Sequence, residues 1–424
     1  MCFTNVAFAQ SDNAINTFTP YSFYGVGDLA KPGMAHNFAM GGIGTGVRSS
    51  QMINFLNPAA LSAHDSLAFM FDFGAEIQNY YSSYYSNDGQ GHHSAANNFN
   101  IHHIALAFPV HRRVVIGVGL LPYSNVGYRV RRTDNVPENI VNMGNVYYDY
   151  RGEGGINQVS LLVGAGLGKR LSIGGQMQYY FGSIDRYSNI IFASNSTYSN
   201  LYSGTSLKVG NFGFTVGSQY AQPLNKDLML TIGATYQFAT QIGKNQLNFA
   251  YMQTSTFADT IQWTTTTNNL LSVPMVISGG VSLRKRDHWM AGIDYVYQRW
   301  NKTADYENAS AFQHFEITPG YLVRAGFEWI PSKTDFRHYF NRCTYRFGLN
   351  YEQTYMQFNG NQLKNIGATA GISIPINRWN NNLNLSAEVG KRGTTDDGLI
   401  REIYVKIAVS FSIYDIWFVK PKIE

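Results

Sequence analysis

The stretch "SLAFMFDFGAEIQ", residues 66–78, decides the fold class of this chain. Apolar side chains stand at every second position from Leu67 to Ile77, whereas Asp72 and Glu76 fall between them. Successive side chains of a β-strand point to opposite faces, so this period of two predicts a strand with one apolar and one polar face. The pattern is longer than the roughly five or six residues usual in soluble sheets, and it suits the roughly 9 to 11 that cross a bilayer.

The same alternation recurs along the chain and closes it. Residues 403–411 are apolar at every second position and carry Lys406 on the other face. Further alternating segments with polar groups opposite the apolar side are residues 171–181, 212–220, 323–329, 345–351 and 383–389. Because the first and last segments match in character and the count reaches fourteen, the sequence predicts an all-β, antiparallel transmembrane barrel.

Connectors of two lengths separate these segments. The polar stretches 85–98 and 131–153 are long, whereas the connectors at 111–113 and 169–170 are short. Bacterial outer-membrane barrels have short periplasmic turns and longer external loops. We therefore expect the cell outer membrane as the location, with both termini in the periplasm. Residues 331–342 are long for a periplasmic turn.

Aromatic residues fall near both ends of the predicted strands. One group, on the predicted external side, is Tyr80, Tyr81, Tyr84, Tyr85, Tyr147, Tyr148 and Tyr150; the other is Trp289, Trp329, Trp379 and Trp417. Such rings form girdles at the two membrane interfaces. The alternative is ordinary aromatic packing inside a soluble sandwich.

Composition and charge agree with a barrel. The chain has 29 Tyr and 27 Phe, and 14% of its residues are charged, against roughly 25% in soluble domains. Its net charge is +5, but the basic residues lie in short connectors and not along one element, which argues against nucleic acid as a partner. No run of 18 apolar residues predicts a membrane-spanning helix.

The N-terminus carries the pattern of an exported protein. Ala7, Phe8 and Ala9 give the small-x-small pattern that precedes signal-peptide cleavage. We expect residues 1–9 to be the rest of a signal peptide and Gln10 to begin the mature chain. Cleavage removes Cys2 and leaves Cys343 as a single thiol with no internal disulfide.

A segment unsuited to strand formation precedes the barrel. It includes the apolar decapeptide "MINFLNPAAL", residues 52–61, and is interrupted by Pro20, Pro32, Pro58 and several glycines. Irregular backbone lies at membrane depth only where protein encloses it. The predicted domains are therefore a plug at 10–65, a barrel at 66–412 and a periplasmic tail at 413–424.

Two motifs in this segment resemble a known family. "AMGGIGTG" (39–46) followed by "NPAALSAHDSL" (57–67) is similar to the N-terminal hatch of the FadL-type long-chain fatty acid transporters. "YSFYGVGDL" (21–29) and the tail "DIWFVKPKIE" (415–424) look like the version of that family found in Bacteroidota.

The resemblance implies a function for the hatch. Members of the family capture a hydrophobic ligand outside, pass it into the barrel when the hatch shifts, and release it sideways through a gap in the wall. Carried over by motif, the hatch gate comprises Gly41, Gly42, Asn57, Pro58 and Ala59. The expected function is passage of hydrophobic or lipid-like molecules, with outer-membrane lipid and lipopolysaccharide around the barrel.

An accessory role is the alternative. The family's transporters collect ligand with apolar helices in two external loops, whereas "NSTYSNLYSGTS" (195–206) and "QTSTFADTIQWTTTTNN" (253–269) are polar. Several Bacteroidota members look like non-transporting barrels of larger outer-membrane machines, either type 9 secretion or the barrel-assembly complex. Such a barrel binds partner outer-membrane proteins.

The sequence predicts neither an enzyme nor a cofactor site. "GAGLGKRLS" (164–172) lacks the spacing of a phosphate-binding loop. His102 and His103 suggest a metal, but neighbours on a strand face opposite ways, so we expect at most one in the lumen and no metal site. The predicted polar lining of the lumen, interpreted as structural and not catalytic, is Asp72, Glu76, Arg324, Glu328, Arg346, Glu352 and Lys406.

Overall fold

The computed structural model describes residues 17–85, 91–192, 198–253, 258–267, 271–300, 315–335, 337–376, 381–395 and 399–417. Fourteen antiparallel strands form a closed barrel. They are β1 Ala68–Tyr85, β2 Gly91–His111, β3 Val114–Asn125 with Tyr128–Thr133, β4 Val146–Leu167, β5 Leu171–Phe192, β6 Asn200–Pro223, β7 Leu228–Gln237 with Thr240–Gln241 and Gly243–Gln253, β8 Ala258–Thr266 with Ser272–Val273 and Met275–Lys285, β9 Trp289–Arg299, β10 Phe315–Ile317 with Gly320–Trp329, β11 Thr344–Phe358, β12 Asn361–Pro375, β13 Asn382–Arg392 and β14 Arg401–Ile416.

Helical structure is short where the chain is described. The α-helices are Ala35–Phe38 and Pro137–Met143, and the 3₁₀ helices are Pro20–Phe23, Pro58–Ala63 and Tyr339–Arg342. No helix among these residues is long and apolar enough to cross a membrane. The signal-peptide positions 1–9, Trp379 and the tail residues 418–424 lie outside the described residues.

Pairing of the first strand with the last closes the barrel. β1 and β14 are antiparallel from Ala68 opposite Ile416 to Ser83 opposite Arg401. The expectation of an all-β, fourteen-stranded transmembrane barrel whose ends meet is confirmed.

The strand alternation separates an apolar exterior from a polar interior. On β1, Phe73 and Ile77 are exposed to the outside, whereas Asp72 and Glu76 are buried inside. This side-chain distribution is typical of strands that contact lipid on one face and a polar lumen on the other.

The ends of several strands extend beyond the predicted bounds. β2 begins at Gly91, inside the stretch 85–98 that we expected to be a loop, and β5 reaches Phe192. The first seven side chains of β2 are exposed or half-exposed on both faces. Outside the membrane both faces contact water, so the apolar alternation ends while the backbone hydrogen bonds continue.

The connector between β11 and β12 is the shortest on its side of the barrel for a local reason. Asn359 and Gly360 have φ angles of 47° and 82°. Two consecutive residues with positive φ form the two-residue hairpin turn for which Asn-Gly is the favoured sequence.

Only part of the predicted tyrosine girdle faces outward. Tyr81 and Tyr84 are exposed and stack on His93 and His92. Tyr80 instead points inward and is 2% exposed, because it neighbours Tyr81 on the same strand.

Residues 17–67, here called the N-terminal segment, lie within the ring of strands. The segment contacts inward-facing groups of strands on all sides, among them Gly174 of β5, Asp294 of β9 and Glu402 of β14. Its apolar side chains form the interior of the molecule, with Met34, Met40, Ile43, Ile53 and Leu61 fully buried. These contacts agree with the predicted plug, whose bounds at 10–65 stay a prediction.

Candidate functional site

The barrel wall is interrupted between β2 and β3. β2 pairs with β3 only from Ile104 opposite Leu120 to His111 opposite Val114. Beyond Leu120, β3 bonds instead to a two-residue strand of the N-terminal segment, with Asp28 opposite Asn125. The interruption is therefore filled by the protein's own N-terminal segment.

Hydrogen bonds hold this part of the segment in the wall. Thr19 N donates to Gly127 O over 3.1 Å, and Ser22 Oγ donates to the same oxygen over 3.0 Å. On the other side, the Tyr21 hydroxyl donates to Ile400 O over 2.5 Å, next to β14. The first residues of the segment thus bridge β3 and the connector between β13 and β14.

A buried ion-pair cluster joins the segment to β13 and β14. Arg392 Nη1 lies 2.5 Å from Asp28 Oδ1, and Arg392 Nε lies 2.8 Å from Glu402 Oε2. The other Glu402 oxygen accepts a hydrogen bond from Thr19 Oγ1. One guanidinium therefore bridges a carboxylate of the segment and a carboxylate of the wall.

A carboxylate also anchors the Gly-rich stretch. Asp294 Oδ2 accepts from the backbone N–H groups of Gly44 and Thr45 over 2.7 and 2.8 Å. Arg324 Nη1 donates to Gly42 O over 3.1 Å. Hydrogen bonds to a charged acceptor are roughly twice as strong as neutral ones, so this stretch is firmly attached to β9 and β10.

The predicted gate glycines lie where the segment touches the wall backbone. Gly41 has a φ of 69°, and a Cβ there would lie 2.7 Å from Leu349 O. A Cβ on Gly348 of β11 would lie 2.1 Å from Gly41 N. The glycine pattern therefore allows two backbones to approach closely.

The predicted gate residues Asn57, Pro58 and Ala59 begin the 3₁₀ helix Pro58–Ala63. Asn57 is fully buried; its Oδ1 caps the helix by accepting from Ala59 N over 3.1 Å. Its Nδ2 donates to Thr45 O over 2.9 Å. Asn57 thus connects the Gly-rich stretch to the helix that packs on β4 to β6.

We expect Asn57→Ala to loosen this helix. The change removes a cap worth about 0.5 to 2 kcal/mol and leaves Thr45 O with one donor fewer. Hydrogen exchange at Ala59 N should accelerate by up to about thirtyfold while the barrel keeps its heat-resistant gel mobility. Ser62→Ala is the matched control, because the Ser62 hydroxyl donates only to Ala59 O; equal exchange in both variants would contradict the assignment.

The predicted lumen residues are brought inside but do not form one site. Six are buried, namely Asp72, Glu76, Arg324, Glu328, Arg346 and Lys406, and Glu352 is half-buried. Arg346 Nε pairs with Glu328 Oε2 over 2.9 Å near the short-turn end. Lys406 lies over the rings of Tyr80 and Tyr404. Sequence reasoning did not assign a role to the charged residues that join the N-terminal segment to the wall, namely Asp28 and Lys31 of the segment and Asp294, Glu388, Arg392 and Glu402 of the strands.

Both His102 and His103 point into the barrel, so the expectation of at most one was wrong. Gly74 of β1 pairs with His103 and the next residue of β1 pairs with Ile101, which makes His102 an extra residue in β2. Such a bulge turns two neighbours to one face. Their Nδ1 atoms are 2.7 Å apart, and His103 Nε2 is 2.6 Å from Asp72 Oδ1. In the described parts of the chain, no three His, Cys, Asp or Glu residues are grouped to hold a metal ion.

A cavity of about 210 Å³, here called the upper cavity, remains beside the N-terminal segment. Its lining mixes apolar groups such as Trp300 and Leu322 with amides such as Gln176 and Gln178. Among its described lining residues, four Lys or Arg stand against three Asp or Glu. The charges of this cavity are therefore nearly balanced, and its lining is mixed in character.

Comparisons with known proteins agree on the fold. A family model described as BamG matches residues 1–424. The toluene transporter TodX of P. putida is 14% identical with a TM-score of 0.60, over 94% of this chain and 100% of that chain. The toluene transporter TbuX of Ralstonia pickettii is 13% identical with a TM-score of 0.58, over 90% and 98%.

A FadL homologue of Pseudomonas aeruginosa is 12% identical with a TM-score of 0.53, over 92% of this chain and 100% of that chain. At these identities the likeness concerns the fold alone, and the expected resemblance to FadL-type barrels is confirmed in that sense. The Bacteroidota version stays a prediction. A search of curated protein sequences found no match.

Proposed function

This chain belongs to the BamG family, and from that premise we propose that it is an accessory, non-transporting barrel of the barrel-assembly complex in the outer membrane. The observation that carries the proposal is the attachment of the N-terminal segment to the barrel wall. The N-terminal segment fills the interruption in the wall and is bound to it by the Arg392 ion pairs and the Asp294 carboxylate. The family name BamG supports the barrel-assembly complex as the assembly to which this barrel belongs.

The charged contacts support a permanent plug more than a gate. A gate has to leave the wall. A shift of this segment would separate Asp28 from Arg392 and leave charged groups inside the barrel without their partners. Breaking a buried ion pair costs about 3 to 5 kcal/mol. The Lys31 ammonium adds a further pair with Glu388, a carboxylate with no exposed surface. The cost of opening therefore increases with each pair.

The second candidate function is passage of hydrophobic molecules. Its gate would comprise Gly41, Gly42, Asn57, Pro58 and Ala59. The interruption between β2 and β3 favours it, because removal of residues 17–30 would leave a lateral opening in the wall. The upper cavity lies beside this position and includes Leu29 in its lining. The solved structures of similar fold include toluene transporters.

The proposal includes an orientation in the membrane. The short turns face the periplasm, as in other bacterial barrels, and the end of β14 lies on that side. The first described residues, around Tyr21, lie instead toward the long-loop end, where Tyr21 bonds to Ile400 O. The exposed apolar faces contact lipid and lipopolysaccharide, and part of this surface contacts partner barrels. The charged groups of the lumen serve packing, so no enzymatic reaction is assigned to them.

Uptake by proteoliposomes separates the two candidates. We expect purified protein to admit toluene and a long-chain fatty acid no faster than protein-free liposomes, because residues 17–30 block the wall. The toluene transporter TodX of P. putida is the positive control. Saturable uptake by the wild-type protein, lost when Asn57 and Pro58 are replaced, would favour the transport candidate instead.

A further inference from the structure

A second cavity, here called the lower cavity, lies at the short-turn end of the barrel. Its volume is about 590 Å³, within the range of roughly 300 to 1,000 Å³ usual for ligand sites. Ser49, Gln51 and Met52 of the N-terminal segment line one side of it, and the ends of β8 to β14 line the rest. This cavity is separated from the upper cavity by the segment itself.

The lower cavity has an excess of positive charge. Among its described lining residues, five are Lys or Arg and two are Asp or Glu. Both acids are already engaged, since Glu328 pairs with Arg284 and Arg346 and Asp287 pairs with Lys333. In the described parts of the chain, Lys285 and Arg342 have no carboxylate partner. The cavity is therefore suited to an anionic ligand, unlike the upper cavity.

A buried histidine in the lining has no hydrogen bond to another described residue. His36 is 3% exposed and borders the lower cavity. The imidazole is thus available to a group that enters the cavity.

The connector at the rim of the lower cavity is preorganised. Asp335 accepts from the backbone N–H groups of Arg337 and His338 and from the side-chain amide of Asn341. The Asn341 amide, followed by those two backbone groups, lowers the pKa of Asp335 to about 2. Cys343 is fully buried beneath this turn, its Sγ 3.9 Å from Tyr339 O.

This connector presents aromatic and basic side chains. Phe340 is 68% exposed and Tyr339 is 45% exposed. The Arg342 guanidinium lies 5.8 Å from the centroid of the Tyr339 ring and also lines the lower cavity. Exposed aromatic residues and arginine beside a pocket are the residue types enriched in protein interfaces.

We propose that the lower cavity and residues 337–343 together bind an acidic, aromatic-containing peptide segment of a periplasmic partner protein. Carboxylates of the bound peptide contact Lys285, Arg284 and Arg342, and the apolar residues of the peptide contact Phe340. The inference deepens the proposed accessory function and rests on it for the existence of the partner. The binding surface itself is tested independently.

A labelled peptide tests the surface on the full-length protein in detergent. The probe is fluorescein-labelled Asp-Phe-Glu-Phe-Asp-Phe-Glu, and fluorescence anisotropy measures its Kd. We expect Lys285→Glu with Arg342→Glu to weaken binding at least about tenfold, since like charges then face the peptide. The control, Lys169→Glu with Arg113→Glu, makes the same charge change at other short turns and should leave Kd unchanged. Heat-resistant gel mobility checks that all variants fold.

Three outcomes would overturn the inference. Equal weakening by both pairs of substitutions would mean general charge attraction and not a site. Inorganic phosphate competing as well as the peptide would mean an anion site only. A photocrosslinker at position 340 should capture a peptide in native membranes, and capture of phospholipid alone would place the connector in the membrane. Peptide binding at this site together with toluene uptake would retain the site and reject the accessory function.

Discussion

Replacing Arg392 by Met should release residues 17–30 from the barrel wall. The substitution keeps a long side chain but leaves the carboxylates of Asp28 and Glu402 buried without their shared cation. Removal of one member of a buried ion pair costs about 3 to 5 kcal/mol. Hydrogen exchange at Thr19 N and Ala30 N, which bond to β3 and its continuation, should therefore accelerate by about two to four orders of magnitude.

Two controls identify the cause of this effect. Lys391→Met changes the exposed neighbour on the same strand and should leave exchange unaltered. Combining Arg392→Met with Asp28→Asn and Glu402→Gln removes the uncompensated charges and should recover most of the protection. If Arg392→Met alone exchanges like Lys391→Met, the ion pairs do not hold the segment.

The second large effect is expected at Gly348. A Cβ there would lie 2.1 Å from Gly41 N and 2.3 Å from Met40 C, and both are backbone atoms that cannot rotate away. Gly348→Val should displace the Gly-rich stretch and break the 2.8 Å bond from Gly41 N to Thr369 Oγ1. Overpacking of this kind costs typically about 1 to 3 kcal/mol, and the backbone contact favours the upper part of that range.

Hydrogen exchange at Gly41 N measures this displacement. Gly279→Val is the matched control, because a Cβ on Gly279 of β8 meets no atom within 4 Å. We expect faster exchange at Gly41 N for Gly348→Val only, with the barrel of both variants still resistant to heat in gels. Unchanged exchange in Gly348→Val would contradict the close approach of the two backbones.

Strand alternation predicted the barrel because lipid outside and polar groups inside impose a period of two. That pattern identified β1 from Leu67 to Ile77 and β5 from residue 171. It also predicted that the first and last strands pair to close the barrel. Strand alternation did not predict the external ends of β2 and β5. There water contacts both faces, so the apolar alternation is lost although the backbone hydrogen bonds between the strands continue.

The contacts of the N-terminal segment were beyond sequence reasoning for a different reason. Alternation shows that Arg392 or Asp294 faces inward, but not which strands stand opposite across the lumen. Asp28 lies in an irregular segment with no period at all. The inward turn of His102 had one local signal, because isolated Gly74 in a strand often marks a bulge; a Cβ there would lie 2.5 Å from the His103 ring.

Mass spectrometry of the tagged native protein after gentle detergent extraction tests the central claim most directly. The measurement identifies both the proteins and the lipids that co-purify in stoichiometric amount. An accessory barrel with a fixed N-terminal segment should form a stable assembly with another barrel of the barrel-assembly complex and carry no bound hydrophobic ligand. A lone barrel that carries one fatty acid or similar molecule per chain would contradict it and make the protein a transporter.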